Sequence, residues 1–340
     1  MKCDCEAVVR DHTVHTIVSC LLPGFEFDCA TLGLLGESQR FARHVGGRHV
    51  AMVAMACHEE RLAQLARHCD GVLVAAGKRT PDYSPRQCLV AIEALCSEVQ
   101  PVAVFLSDDT YSRELTPRLA HRLGGCGAGD VQAVDWRDER IHVTRSVYGG
   151  KATAVIRMNQ APAVVSLRAR SLRAEPARDT AGDIERRDLT LLLDAASNDT
   201  DPRIVERHDE SARGVRLEDA KVIVSGGRGL GGPAAFDVLK QLAALIGAEV
   251  AASRAAADAG WAPPSWQVGQ TGRKVAPRLY VAVAISGASQ HMMGVADAKV
   301  IAAINTDADA PIFRYCDFGL VADCRSVLGP LCEKLAEMLS

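Results

Sequence analysis

Short apolar runs take turns with longer amphipathic stretches from the start of this chain, and that alternation limits its fold more than any other feature. "HTIVSCLL" (15–22), "HVAMVAMA" (49–56), "GVLVAA" (71–76) and "PVAVFLS" (101–107) are brief and rich in Val, Ala and Leu, as strands buried on both faces are. Between and after them, 31–45, 59–69, 84–99 and 112–124 repeat apolar residues at helical spacing. A β-α-β-α order predicts a mostly parallel sheet with helices on both sides.

The rhythm then changes. From 140 to 172 three strand-like stretches follow one another with little helix between them. Polar, Arg-rich sequence runs from Leu172 to Asp188, and "ASNDTDPRIVERHDES" covers 196–211. With 340 residues the chain has length for two domains of about 100–200 residues each. The boundary is expected near 210, giving an N-terminal domain over 1–210 and a C-terminal domain over 211–340. A second β-α series opens at "KVIVSGGRGLGG" (221–232). Helix follows over 234–247, strands over 248–253, 279–285, 298–305 and 319–323, and a closing helix over 327–339. Both domains are therefore expected to be α/β, each on a mostly parallel sheet flanked by helices, the second Rossmann-like and doubly wound.

Charge and composition remove several function classes. Lys and Arg number 39 against 42 Asp and Glu, for a net charge of −3, and no basic tract appears, so no nucleic-acid partner is expected. No apolar run approaches the roughly 20 residues that span a bilayer. "HTIVSCLLPGF" is broken by Pro23 and preceded by Asp4, Glu6 and Asp11 rather than by a basic lead, so it does not read as a signal peptide. Twelve cysteines, none in a C-x-x-C pair, fit a reducing compartment, and a cytoplasmic location is expected. Cys3-Asp4-Cys5 is read as a frayed terminus rather than half of a metal site, and no metal is expected.

The residues with chemical promise stand where strands of the second series end. Gly227, Gly229 and Gly232 satisfy G-x-G-x-x-G, with Arg228 among them. Alone this suggests a nicotinamide dinucleotide, but the acidic residue expected about 20 positions on is missing, and the second strand ends in Ser253-Arg254 instead. A guanidinium there is a fixed positive charge for an electron-rich ligand; a helix cap and a solvated Arg are the plainer reading of the same pair. "WQVGQTG" (266–272) brings an amide, a hydroxyl and backbone N–H groups onto a glycine-rich loop. "SGASQHMMG" (286–294) leaves an apolar strand through Ser286-Gly287 and places Gln290 and His291 on a new helical turn, with Met292 and Met293 as core filler. Asn305 and Asp323 end two further strands, where each serves equally as a ligand group or a turn residue.

Taken together, "VIVSGGRGL", "ASRAAADAG", "QVGQTG", "YVAVAISGASQH" and "VIAAIN" resemble, in this order and spacing, the α subunit of electron transfer flavoprotein, a family that includes nitrogen-fixation and carnitine-linked versions. "LTPRLAHRLG" and "TRSVYGGKA" resemble its first domain, so the likeness spans essentially the whole chain. The resemblance implies one FAD on the C-terminal domain, a heterodimer with a β subunit of related fold that pairs with the N-terminal domain, and electron carriage without substrate chemistry. Flavin dehydrogenases would be the donors and a quinone oxidoreductase, or another acceptor, the recipient. It assigns FAD contacts to Arg228, Ser253, Arg254, Val268, Gly269, Gln270, Thr271, Ser286, Gly287, Ala288, Ser289, Gln290, His291, Asn305 and Asp323. Within that set it implies Thr271 near flavin N5, His291 as a donor near O2, and Arg254 as the charge that tunes the potential.

Two departures from the family stand out. Ser289 takes the place of a branched apolar residue before Gln290-His291, and "GGPAAF" (231–236) replaces a more polar stretch after "GRGL", which bears on the first turn of the next helix. Two other readings remain: a nicotinamide-dependent oxidoreductase using the Gly227/Gly229/Gly232 turn, and a non-redox scaffold of the same fold.

Overall fold

A computed structural model describes residues 14–22, 24–54, 57–77, 83–148, 152–196, 205–206 and 216–339. Cys3 and Cys5, and the boundary expected near 210, lie outside the described residues. By its internal contacts the chain divides into two compact units, Met1–Thr144 with Val155–Ile204, and Arg145–Ala154 with Val205–Ser340.

The first unit alternates as the sequence predicts: β1 (Thr16–Leu21), α1 (Cys29–His44), β2 (Arg48–Val53), α2 (Glu59–Ala66), β3 (Gly71–Ala76), α3 (Pro85–Val99), β4 (Ala103–Ser107) and α4 (Thr110–Arg122). Side chains that prefer non-helical backbone set the helix starts. Asp28, Ser84 and Asp109 accept from the N–H groups of Thr31, Gln87 and Ser112, caps of about 1 kcal/mol each. Then come β5 (Cys126–Arg137), β6 (Arg140–Val147), β7 (Ala152–Arg157), β8 (Ala163–Leu167), β9 (Asp183–Asp188) and α5 (Thr190–Ala196).

One sheet takes all nine strands in the order β7-β6-β5-β8-β4-β1-β2-β3-β9, and from β5 to β9 every neighbouring pair is parallel. Successive residues of β1 show why. Ile17 packs with Leu34, Phe41 and Phe105 on one face, and Val18 with Met52, Leu89 and Ile92 on the other. Both faces are covered, so the strand is mostly apolar, and its buried Ser19 hydroxyl is paired with His49 at 2.8 Å. Strands β5 and β9 and helix α5 lie where no such elements were expected.

In the second unit the elements are β10 (Val222–Gly226), α6 (Ala235–Ile246), β11 (Glu249–Ala252), α7 (Arg254–Asp258), β12 (Leu279–Val283), α8 (Ser289–Met292), β13 (Ile301–Asn305), β14 (Phe318–Val321) and α9 (Cys324–Leu339). The sheet runs β11-β10-β12-β13-β14 and is parallel throughout. Again alternate residues feed two cores. Ile223, Tyr280 and Ile301 face Val268, Met292 and Ile312, while Val224, Val283 and Ile304 face Phe236, Leu239 and Leu328. Each fully buried aliphatic side chain contributes about 1.5–3 kcal/mol by leaving water.

From β10 the chain first winds outward to β11, then returns to place β12 on the opposite side of β10. The connections after β10 and β12 therefore leave in opposite directions, and it is outside the C-terminal strand ends at such a point that open α/β sheets receive ligands. Helix α6 starts without a side-chain cap after Pro233 and Ala234, a consequence of the "GGPAAF" stretch. Among the described residues, no helix is long and apolar enough to cross a membrane.

Candidate functional site

The segments at the ends of β10 to β14 and the 266–272 loop meet at the C-terminal edge of the second sheet, and glycines let them approach. Gly227 donates to the Val283 carbonyl at 2.8 Å, and a Cβ on it would overlap the Ala284 carbonyl. The segments after β10 and β12 are therefore in backbone contact. Ala284 itself sits at φ +53, an uncommon conformation for a residue with a side chain and one that marks local strain. Gly287 has φ +78, and a Cβ there would overlap the backbone of Ile312. That answers why the strand exits through Ser-Gly: only glycine fits both the left-handed turn and the close approach.

The remaining segments are tied in by backbone bonds. Ser253 donates its N–H to Gly226 at 2.9 Å, and Val268 donates to Ala252 at 3.0 Å. Gln270 donates to the Gln290 carbonyl at 2.7 Å, so the glycine-rich loop lies directly on the Gln290-His291 turn. Gly269, at φ +147, presses within 3.0 Å of the same carbonyl, measured from where a Cβ would stand. Asn305 joins the end of β13 to the segment after β12: its Nδ2 donates to the Ile285 carbonyl at 2.9 Å while its Oδ1 accepts from Asp307 N–H. Asp323 accepts from Arg325 N–H at 3.0 Å and starts α9.

Thirteen of the fifteen expected residues fall into two groups, and Ser253 and Ser289 are half-buried between them. Val268, Gly269, Gly287 and His291 are buried, and with Asn305 they build the frame. Arg228, Arg254, Gln270, Thr271, Ser286, Ala288, Gln290 and Asp323 are exposed on it. Ser253 does what a helix cap does, accepting from Ala256 N–H at 3.4 Å, and Arg254 reaches Asp258 at 3.3 Å with both side chains largely in water. Thr271 accepts from Gln267 Nε2 at 2.9 Å. Gln290 and His291, adjacent in sequence, lie in opposite environments. His291 is 8% exposed, its Nε2 stands 2.9 Å from the Tyr280 hydroxyl, and burial pushes its pKa down to about 4. At neutral pH it is an uncharged ring.

What the site offers a ligand can be read from its unused donors. Among the described residues, the N–H groups of Gly287, Ala288 and Ser289 meet no acceptor, and His291 Nδ1 is buried with no hydrogen-bond partner. Buried polar atoms in native proteins are nearly always paired, so unpaired His291 Nδ1, in the same segment as the free N–H groups, is an atom that a bound group can complete. Exposed Arg228 and Arg254 add positive charge, and the Gln and Thr side chains add neutral polar groups. This donor-rich set fits the diphosphate, ribityl and oxygen-bearing ring edge of FAD.

The G-x-G-x-x-G reading loses its physical basis. In a nicotinamide dinucleotide fold the third glycine permits close packing of helix on strand. Here a Cβ on Gly232 would meet nothing within 4 Å, whereas Gly227 and Gly229 are small because Ala284 lies against them. A cavity of about 320 Å³ in this unit, walled by Phe236, Trp261, Pro263 and Trp266, is lined by none of the fifteen residues.

Residues 24–192 match the family described as electron transfer flavoprotein domain, and residues 216–296 match the one described as electron transfer flavoprotein FAD-binding domain. An electron transfer flavoprotein subunit alpha of Thermoanaerobacterium thermosaccharolyticum is 34% identical over 311 residues, 90% of this chain and 92% of that one. Protein FixB of Clostridium saccharobutylicum is 34% identical over 319 residues, 93% and 94% of the two chains. The subunit alpha of Paracoccus denitrificans is 42% identical over 226 residues, 66% of this chain and 70% of that one.

Proposed function

This chain belongs to the electron transfer flavoprotein α-subunit family, and we propose that the strand-end segments of its second unit hold one FAD through the fifteen residues named above. The observation that carries the reading is the set of unspent backbone donors at Gly287, Ala288 and Ser289, with the unpartnered Nδ1 of His291 close by in the same segment after β12. Bound FAD supplies reversible storage of one or two electrons. The chain's own residues bind it, orient it and set the electrostatics around it.

The three backbone N–H groups are suited to a diphosphate, and Arg228 adds a cation nearby on the adjoining segment. Val268 and Gly269 fix the height of the loop that carries Gln270 and Thr271, whose polar groups serve the ring edge. Arg254 is the fixed positive charge that favours extra electron density on the ring, and His291, uncharged, adds a donor. Asn305 holds Ile285 in place, immediately ahead of Ser286, and Asp323 stands at the end of β14 with one carboxylate oxygen not used by α9.

As an electron carrier the chain performs no substrate chemistry of its own. It works as half of a heterodimer with a β subunit of related fold, which docks on the N-terminal domain, in a bacterial-type cytoplasm. Flavin dehydrogenases supply the electrons and a quinone oxidoreductase or similar acceptor removes them. The test is a titration of the flavin-free pair with FAD and, separately, with NADH. Saturable quenching of flavin fluorescence at one FAD per pair supports the reading; NADH binding without FAD binding overturns it.

A further inference from the structure

Tyr280 is a tyrosine in a place where phenylalanine would pack as well. It sits on central strand β12, between Ile223 of β10 and Ile301 of β13, and is fully buried. Burying a phenol hydroxyl costs free energy unless it is bonded. Its bond goes to His291 Nε2 at 2.9 Å. Ser225, one strand over, approaches the phenol and favours its ionised form slightly, but its hydroxyl closes no hydrogen bond. Burial dominates and holds the phenol protonated far above neutral pH.

We infer that Tyr280 is a positioning residue: its hydroxyl donates to Nε2 of His291 and so fixes the neutral imidazole as the Nδ1–H tautomer, a donor aimed at the cofactor. A neutral imidazole has one donor and one acceptor nitrogen, and a bond at one dictates the other. Phenol is the stronger acid and imidazole nitrogen the stronger base, so the phenol donates. Val268 spends its N–H on Ala252, and its remaining backbone group, an acceptor, favours a proton on the ring. With Nε2 taken by the Tyr280 hydroxyl, that proton stands on Nδ1, which meets no hydrogen-bond partner among the described residues. The inference rests on the FAD reading only for the identity of what Nδ1–H meets.

Tyr280→Phe keeps the ring and removes the hydroxyl, and the full chain paired with its β partner is the material to test. Nitrogen-15 spectra of labelled histidine, with His291→Gln to assign the signals, read the tautomer in the flavin-free pair. The native protein is expected to show a pyridine-type Nε2 and a pyrrole-type Nδ1. Tyr280→Phe should lower the tautomer ratio about fivefold, the factor for one hydrogen bond of ordinary net strength. A native Nε2–H tautomer, or a ratio unmoved by the substitution, overturns the inference whether or not FAD binds.

In the FAD-loaded pair Tyr280→Phe should also weaken the first one-electron reduction by several-fold, where tenfold is about 59 mV. It should have no such effect once His291 is Ala. An equal shift in the His291→Ala background would mean that Tyr280 acts through the fold and not through His291. A pair with the expected tautomer that fails to bind FAD would instead count against the proposed function alone.

Discussion

Replacing Gly287 by Ala perturbs the site at its tightest point. The residue has φ +78, where an alanine costs about 1–2 kcal/mol relative to its ordinary backbone conformations. Its Cβ would also overlap the Ile312 backbone, and a backbone atom has no rotamer into which to retreat. Ile312 donates its N–H to the Ser286 carbonyl at 3.0 Å, so relief by movement pulls on the segment that presents the N–H groups of 287–289. A displaced turn loses at least one bond to a charged acceptor, about 1.5–3 kcal/mol. FAD affinity should therefore fall about tenfold or more, since 1.4 kcal/mol is about tenfold. The assay is fluorescence titration of the flavin-free pair, with thermal melting alongside. Gly232→Ala is the control: its Cβ would meet nothing within 4 Å, and it should bind FAD as the native chain does. Native affinity in Gly287→Ala, or a large loss in Gly232→Ala, would refute the role given to the turn.

Other substitutions and conditions test separate parts of the account. Arg254→Ala should lower the first one-electron potential by on the order of 1 kcal/mol, about 40 mV, and the difference should shrink at high salt because the group is exposed; spectroelectrochemistry at two ionic strengths reads both. Acid should destabilise the first unit through His49, which is fully buried against Ser19 and pushed down from 6.5 to about 4 by burial. The unfolded chain takes up the proton first, so stability is present above about pH 6.5, falls as pH drops toward 4, and loses on the order of 2 kcal/mol by pH 5; His68, also lowered by burial, adds in the same direction. Denaturant unfolding at pH 7 and pH 5 measures that slope, and a His49→Gln chain with the native slope would remove the explanation.

The β-α-β-α series was legible because strands buried on both faces are mostly apolar, as β1 to β4 and β10 to β13 are. What escaped were the elements whose sequences answer to solvent. Strand β9 (DIERRD) is the sheet's edge, where charge guards against pairing with other chains, and an apolar pattern never forms. Strand β5 is only partly buried and is shifted in register between Ala128 and Val131, with Asp130 at φ +59. Motif spacing put Arg228, Ser253, Ser286, Asn305 and Asp323 at or just after strand ends, where the structure has them, since crossover topology leaves few places for loops to go. Two parts were invisible. Tyr280 lay inside an apolar run that reads simply as strand, and its bond to His291 depends on how sharply the chain turns at Ala284 and Gly287. Likewise, the sequence shows Gln290 and His291 as neighbours and says nothing of one facing water and the other the core.

The most direct measurement is the visible spectrum of the full chain purified with a β-type partner, followed by extraction of its nucleotides. A yellow pair with two flavin absorption bands and one FAD assignable to this chain is the predicted result. A well-folded, colourless pair that yields no flavin, before or after incubation with FAD, would contradict the account.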